Sequence, residues 1–243
     1  MRSPFLLALL LPALSGCAGA KADSTAKTPG AAATPAVSAT ARTDSGIPAG
    51  VPADSALRTA ADLGRINGAE TAPLWLLVVS DFECPYCRQW HLEAHATVVK
   101  EFVESGKIRI AYVNFPLPNH AHAVAAAEAA MCASAQGKFV AYADQLFESQ
   151  PRWHELPAAE ASAVFAELAT ATGVDIGPWT QCTTSGAMRP LVLADRERAR
   201  QARVGSTPTF LIGETVIPGV MPLNQFRKTI ESELARKAAA PAR

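Results

Sequence analysis

The sequence predicts an α/β fold in which a central mixed sheet is flanked by helices and interrupted by an all-helical insertion. A short apolar run at 74–79 passes directly into a helical pattern, and an alternating strand follows at 108–115. One helix between two strands implies that the strands are parallel. The stretch 119–186 is almost purely helical, and 208–219 then forms two strands around a tight turn.

Caps and periodicity place the helices. Trp90, Ala94, Val98 and Phe102 recur at helical spacing after the first strand, and Gly106 suits the end of that helix. Further helices are expected, in order, over 57–63, from Ala121 to Gln136 with Asn119 as cap, over 139–149, from Pro157 to Thr172, from Pro178 through Cys182, over 191–203, and from Pro222 onward.

Composition limits the class of protein. The chain has 243 residues and no formal net charge, which fits one globular domain with appendages. Hydrophobic residues make up 49% of the chain, enough for a full core. Because the chain has neither a basic excess nor an acidic tail, we expect no nucleic acid among its partners.

The N-terminus is a targeting signal. Arg2 precedes an apolar segment at 5–14, too short to span a bilayer, and Leu14-Ser15-Gly16-Cys17 follows. This ending resembles the bacterial lipoprotein box, which implies cleavage after residue 16 and lipidation of Cys17. An ordinary signal peptide that happens to contain Cys17 is the alternative. The lipoprotein interpretation implies an envelope protein anchored to a membrane and facing the periplasm; Ala18, in place of aspartate, favours the outer membrane.

These observations give a domain scheme. Residues 1–16 are the signal peptide, and 17–54 are the lipidated cysteine and a disordered tether rich in Ala, Thr, Ser and Pro. The folded α/β domain comprises 55–118 and 187–238, and the helical insertion at 119–186 separates its two parts.

The motif Cys84-Pro85-Tyr86-Cys87 stands where the first strand turns into its helix. Helix N-termini carry unpaired N–H groups and positive partial charge, which favour thiolate over thiol. We therefore expect the pKa of Cys84 to fall within roughly 3.5–7.5. Cys87 lies on the same helix face and can close a disulfide with Cys84 or attack a mixed disulfide formed there.

Metal binding is the alternative use of this motif. No second C-x-x-C is present. His91 and His95 could complete a Cys/His site, but we expect the helix to turn them away from Cys84 and leave them partly solvated. A copper(I) module using Cys84 and Cys87 is a further alternative, which the lack of suitably spaced methionine or histidine ligands argues against. We therefore expect no metal and no cofactor.

Cysteine counting supports an oxidising compartment. Lipidation of Cys17 leaves Cys84, Cys87, Cys132 and Cys182. An even number of cysteines outside the cytoplasm indicates two disulfides.

Three segments together resemble the thioredoxin superfamily, and within it the DsbA-like thiol–disulfide oxidoreductases with an inserted helical domain: 81–87, Phe115-Pro116-Leu117 with its nearby histidines, and 205–210. The resemblance implies a thioredoxin-like fold over roughly 55–236. It also implies a cis peptide bond at Thr207–Pro208, facing Cys84 and offering backbone that binds a substrate chain as an added strand.

The resemblance further suggests that Cys132 and Cys182 bridge two helices of the insertion. Closing a loop of this length would stabilise the domain by about 4 kcal/mol in the chain-entropy model. An electron relay from this pair to the Cys84–Cys87 pair is the alternative.

One position departs from the thioredoxin pattern. The family has a buried acid six residues before its first cysteine, where this chain has Val78. Asp81 or Glu83 could instead move the proton of Cys87, or both could be solvated loop acids. Analogy also places His120 and His122 near the site, where His120 could stabilise the Cys84 thiolate; a surface histidine is the alternative.

The predicted function is thiol–disulfide exchange with client proteins through Cys84 and Cys87. A helix N-terminus stabilises the reduced form, which favours an oxidase. A reductase or isomerase with the same site stays open, since Pro-Tyr and a threonine before the cis-proline also occur in those classes. A non-catalytic peptide-binding adaptor is a third alternative. The expected partners are cysteine-containing clients, a membrane-bound or soluble redox partner that resets the disulfide, and the membrane itself.

Overall fold

The computed structural model describes residues 53–239, so the signal sequence, Cys17 and most of the tether lie outside the described range. Within that range one sheet has the strand order β1-β3-β2-β4-β5. Its strands are β1 (Ile66–Asn67), β2 (Leu74–Ser80), β3 (Ile108–Asn114), β4 (Thr209–Ile212) and β5 (Thr215–Pro218).

The sheet is mixed, as predicted. Strands β2 and β3 are parallel, with Leu76 opposite Ile110, because a helix carries the chain back between them. Strand β4 pairs antiparallel with β2 on its other side, and β5 forms the antiparallel edge. The short strand β1, which sequence patterns did not predict, adds two residues antiparallel to β3. The α/β, thioredoxin-like fold class is confirmed.

Apart from the helix that follows β2, the helices lie close to their predicted positions. They span Ala53–Gly64, Ala123–Ser134, Phe139–Glu148, Gln150–Trp153, Ala158–Ala171, Ile176–Ser185, Arg189–Gln201 and Leu223–Ala239. The Gln150–Trp153 turn was not predicted. The cap at Asn119 was wrong: the helix begins at Ala123 with His122 as its N-cap residue, because Asn119 lies in a loop that packs on the active site. The boundaries of the predicted helical insertion stay a prediction.

Alanine lets the helices of the insertion pack closely. The helix Ala123–Ser134 is buried around nearly its whole circumference, which small side chains permit. Tyr142, Trp153 and Trp179 fill the space around it, and each donates its polar hydrogen to a backbone carbonyl. A disulfide between Cys132 and Cys182 ties this helix to Ile176–Ser185.

The helix after β2, which we call the active-site helix, is continuous but not uniformly α-helical. It is α-helical over Pro85–Trp90 and Ala96–Val98, and π-helical over His91–His95 and Val99–Val103. An α-helix turns 100° per residue, so a stripe of side chains spaced four apart drifts roughly 40° at each step. The wider π turns offset this drift. They keep the stripe from Trp90 to Phe102 facing the core.

No helix within residues 53–239 combines the length and apolar character needed to cross a bilayer.

Candidate active site

Cys84 occupies the N-cap position of the active-site helix. Its backbone is extended, with φ −72° and ψ 123°, and Pro85 takes the first helical position, where a missing N–H costs nothing. The Cys84 carbonyl accepts the first helical hydrogen bond, from Arg88 N at 3.1 Å. Only 3% of Cys84 is exposed, so a partner must reach its sulfur through a narrow opening.

The surroundings lower the pKa of Cys84 to about 6. The largest cause is a hydrogen bond from the Cys87 thiol to the Cys84 sulfur. Burial opposes the shift, while Thr207 and the backbone N–H groups of Cys87 and Tyr86 add to it. The value lies within the range that the sequence predicts for a cysteine at a helix N-terminus.

Cys87 has the opposite character. It is 1% exposed, and burial raises the pKa of its thiol well above the ordinary value, with the neighbouring Cys84 adding to the rise. Its sulfur lies 3.5 Å from the Asp81 backbone nitrogen. Both cysteines are free thiols in this structure. One sulfur is thus prepared to attack as a thiolate, and the other holds its proton.

The loop before β4 faces Cys84. The Thr207–Pro208 peptide bond has the predicted cis geometry, and Cys84 Sγ lies 3.5 Å from the Thr207 carbonyl oxygen. Gly219 N donates to the Pro208 carbonyl at 2.7 Å, which fixes the loop against the end of β5. The backbone of Thr207 is therefore held rigidly beside the reactive sulfur.

Asp81 organises the loops around the cysteines. It is buried, and its carboxylate accepts hydrogen bonds from Glu83 N, Leu117 N and His120 Nδ1, each at 2.8 Å. Burial raises its pKa despite these bonds. Within the described residues, His120 meets this carboxylate and makes no hydrogen bond to Cys84.

Glu83 makes a second connection between the same two loops. Its carboxylate accepts a hydrogen bond from the backbone of His122 at 2.6 Å, and the His122 ring reaches the Leu156 carbonyl. The two acids therefore hold the loop at 117–122 against the loop before Cys84. Within the described residues, neither carboxylate makes a hydrogen bond to a cysteine sulfur.

Gln150 belongs to the site, although no sequence pattern predicted it. Its buried side-chain amide donates to the Phe82 carbonyl at 2.7 Å and to the Cys84 carbonyl at 3.2 Å. It lies 66 positions after Cys84, on the unpredicted turn Gln150–Trp153. No local pattern marks such a contact, because it depends on how the helical segments pack.

The expected solvation of His91 and His95 was wrong. Both are buried, because the π turn keeps them on the inner side of the active-site helix. His91 Nε2 lies 2.7 Å from Asp144 Oδ1, and the two imidazole rings stack at 4.3 Å. His95 Nε2 lies 2.5 Å from the Tyr112 hydroxyl. The ring nitrogens and the Asp144 oxygen lie within 4.8 Å of one another.

A groove opens beside the cysteines. It has a volume of about 790 Å³, and its lining includes Tyr86, Trp90, Thr207, Met221 and Leu223. Tyr86, between the two cysteines, is 63% exposed. The groove is mainly apolar, which suits an extended polypeptide with apolar side chains.

A thiolate-forming cysteine at a helix start, with a second thiol one turn on, is the chemical arrangement of a thiol–disulfide oxidoreductase. Comparison with known protein families indicates the same class of protein. A family model described as Thioredoxin matches residues 61–232. The chain therefore belongs to the thioredoxin family, as a DsbA-like protein-disulfide oxidoreductase.

Individual relatives are distant. A probable disulfide bond formation protein D of Bacillus anthracis is 24% identical over 171 residues, which cover 70% of this chain and 77% of that protein. The structure of oxidised BdbD from Bacillus subtilis superimposes with a TM-score of 0.64 at 21% identity, covering 71% of this chain and 94% of that one. Alpha-DsbA1 of Wolbachia pipientis, a T172V variant, gives 0.65 at 16% identity, covering 72% and 92%.

Proposed function

We propose that this chain is an oxidase that introduces disulfides into client proteins outside the cytoplasm. Cys84 exchanges with the client through a mixed disulfide, and Cys87 is the second sulfur of the redox pair. The observation that carries the proposal is the separation of the two thiols. The pKa of Cys84 falls to about 6, whereas that of Cys87 rises.

The direction follows from the same separation. A low pKa stabilises the reduced form, because the thiolate exists only after the disulfide opens. At pH 7 a fall from 9.0 to about 6 contributes about 1.4 kcal/mol, which corresponds to near 30 mV. The four-residue ring also gains little from loop closure. Both effects make the disulfide a better oxidant. The name of the Bacillus relatives, disulfide bond formation protein D, supports the same direction.

The client chain lies along the Thr207–Pro208 loop in this proposal. Backbone of Thr207 adjoins Cys84 Sγ and would pair with an extended client segment, while the apolar groove receives its side chains. Such recognition depends mainly on backbone, so it admits clients of many sequences. A separate redox partner, membrane-bound or soluble, then reoxidises the cysteine pair.

The reduction potential tests the direction. We expect equilibration with glutathione to give a reduction potential closer to about −120 mV, that of a strong oxidant, than to about −270 mV, that of a reductant. A value near the reductant end would refute the oxidase proposal. Oxidation of a reduced, unfolded model protein with one native disulfide, followed by gel shift, gives the matching activity. A variant with Cys84 and Cys87 both replaced by serine is the control.

Lipid anchorage at Cys17 is proposed on the sequence alone, since that residue lies outside the described range. Incorporation of labelled palmitate by the full chain, and its loss in Cys17→Ser, would support the anchor. Release of unlabelled protein into the periplasm would refute it.

A further inference from the structure

Cys87 needs a way to lose its proton. Its sulfur attacks only as a thiolate, yet it is buried and its pKa is raised. The position six residues before Cys84 holds Val78, which is buried and apolar. The carboxylates of Asp81 and Glu83 accept hydrogen bonds from loop groups instead. A route through other groups would serve the proposed function, on which this inference rests.

His91 is the nearest candidate along the chain. It follows Cys87 by one helical turn, and residues four apart share a helix face. Both are buried, at 7% and 1% exposed. Imidazole is the side chain best suited to carry protons near neutral pH.

A small cavity lies between Ser80 and His91. Its volume is about 20 Å³, and its polar lining comes from Ser80, His91, Tyr112 and Asn114. This is room for one water molecule, which needs two to four polar partners. The Ser80 hydroxyl also lowers the pKa of the Cys87 thiol, so Ser80 lies near the sulfur as well as on the cavity wall.

A buried donor beside this cavity also calls for a hydrogen-bond partner. Trp90 contributes to its wall and is 3% exposed. Its indole N–H, within the described residues, has no hydrogen-bond partner. Buried N–H groups rarely stay unpaired in folded proteins.

The route continues from His91 to the surface. His91 Nε2 lies 2.7 Å from Asp144 Oδ1, and the Asp144 side chain is 41% exposed. The other titratable groups around His91 are His95, stacked on it, and Tyr112. Burial lowers the pKa of His95 to about 4, and it raises that of Tyr112. Both are therefore neutral near pH 7, and the Asp144 side chain is the hydrogen-bond partner of His91 Nε2.

We propose that Ser80, a water molecule in this cavity, His91 and Asp144 form a proton relay that serves Cys87. When Cys87 resolves a mixed disulfide, its S–H proton passes through Ser80 and the water to His91 Nδ1, and Asp144 stabilises the imidazolium. The Cys87 sulfur bonds to Cys84 Sγ, the Cys84–client bond breaks, and the client leaves as a thiolate. The proton then leaves through Asp144 to solvent. In the oxidising direction the same groups return a proton to Cys87.

Reaction of the reduced full chain with Ellman's reagent separates the two sulfurs. Attack by Cys84 releases one coloured thiolate, and resolution by Cys87 releases the second. We expect His91→Gln to slow the second phase at pH 7 by about tenfold or more, as loss of a general base does, and to leave the first phase within twofold. Ser80→Ala should have a smaller effect on the same phase. His154→Gln, which alters a histidine 40% exposed on the surface, is the matched control.

The pH profile distinguishes a relay from a structural role. Without the relay only hydroxide removes the proton, so the second phase in His91→Gln should steepen to about tenfold per pH unit. The equilibrium constant with glutathione should stay within twofold of the wild type, since a relay speeds both directions equally. A second phase within twofold of wild type, or an equal slowing of both phases, would overturn the relay.

A folding defect does not end the test. If His91→Gln fails to fold, Asp144→Asn at the half-exposed end of the route should slow the second phase severalfold, and an unchanged second phase there refutes the proposal. Failure of the proposed function looks different: it appears as a reduction potential at the reductant end of the range, whatever the ratio of the two phases.

Discussion

The molecule contains two cysteine pairs that behave in opposite ways. Cys84 and Cys87 are three positions apart and are free thiols beside a groove. Cys132 and Cys182 are fifty positions apart and form a disulfide between two buried helices. All four side chains are buried, so exposure does not explain the difference.

Charge stabilisation and loop length explain why one pair is present as free thiols and the other as a disulfide. The first pair sits at a helix start, where the neighbouring Cys87 thiol and, to a smaller extent, backbone N–H groups stabilise a thiolate that only the reduced form possesses. Its ring is short, so opening the disulfide releases little chain entropy. The second pair closes a long loop between two buried helices, so the disulfide removes much entropy from the unfolded chain. We therefore expect the first disulfide to open and close readily and the second to act as a structural crosslink.

The largest expected effect tests the division of roles. Cys84→Ser should reduce disulfide exchange to the uncatalysed rate, because a serine hydroxyl does not attack a disulfide. Cys87→Ser should instead accumulate a mixed disulfide with the client, visible on a non-reducing gel. The double variant Cys132→Ala, Cys182→Ala should keep its exchange rate under conditions where it is folded. Loss of exchange in that folded variant would favour the electron-relay alternative.

The next effect concerns stability. Removing the Cys132–Cys182 disulfide should lower the free energy of unfolding by about 4 kcal/mol, since the unfolded chain regains the entropy of a loop of 50 residues. Urea denaturation of the double alanine variant measures it. Cys87→Ser removes no crosslink from the reduced protein, so it serves as the control. An unchanged denaturation midpoint would show that this disulfide is not a stabilising crosslink.

A smaller effect depends on pH. The pKa of Cys84 lies at about 6 in the folded protein against 9.0 ordinarily, so its thiolate stabilises the reduced fold above pH 6. The contribution vanishes below about pH 6, grows as pH rises toward 9, and is about 1.4 kcal/mol at pH 7. Unfolding of the reduced protein between pH 5 and 9, minus that of Cys84→Ser, isolates it. A difference that does not change with pH would contradict the assigned pKa.

Local patterns revealed much of the site. Fourteen residues, 74–87, contain the strand-to-helix junction, the C-x-x-C spacing and the proline at the first helical position. The Cys87 thiol and the backbone N–H groups that lower the pKa of Cys84 both lie on the first helical turn, so the shift could be anticipated from local sequence. The cis bond at Pro208 came from a family resemblance, because spacing alone does not distinguish it from a trans proline at a strand start.

Other features depended on packing between distant segments. Gln150 reaches the Cys84 carbonyl from another helix, and the carboxylate of Asp81 meets Leu117 and His120. The burial of His91 required the π turn, which periodicity did not predict because an α-helix was assumed throughout.

The sequence by itself determined which atoms react, because a thiol's chemistry is set by its own residue and the few that begin its helix. Only the tertiary structure decided what surrounds them: the Thr207 carbonyl 3.5 Å from Cys84 Sγ, the loops held by Asp81, and the cavity joining Ser80 to His91. Such contacts join residues tens of positions apart, and their energies appear only when the chain packs.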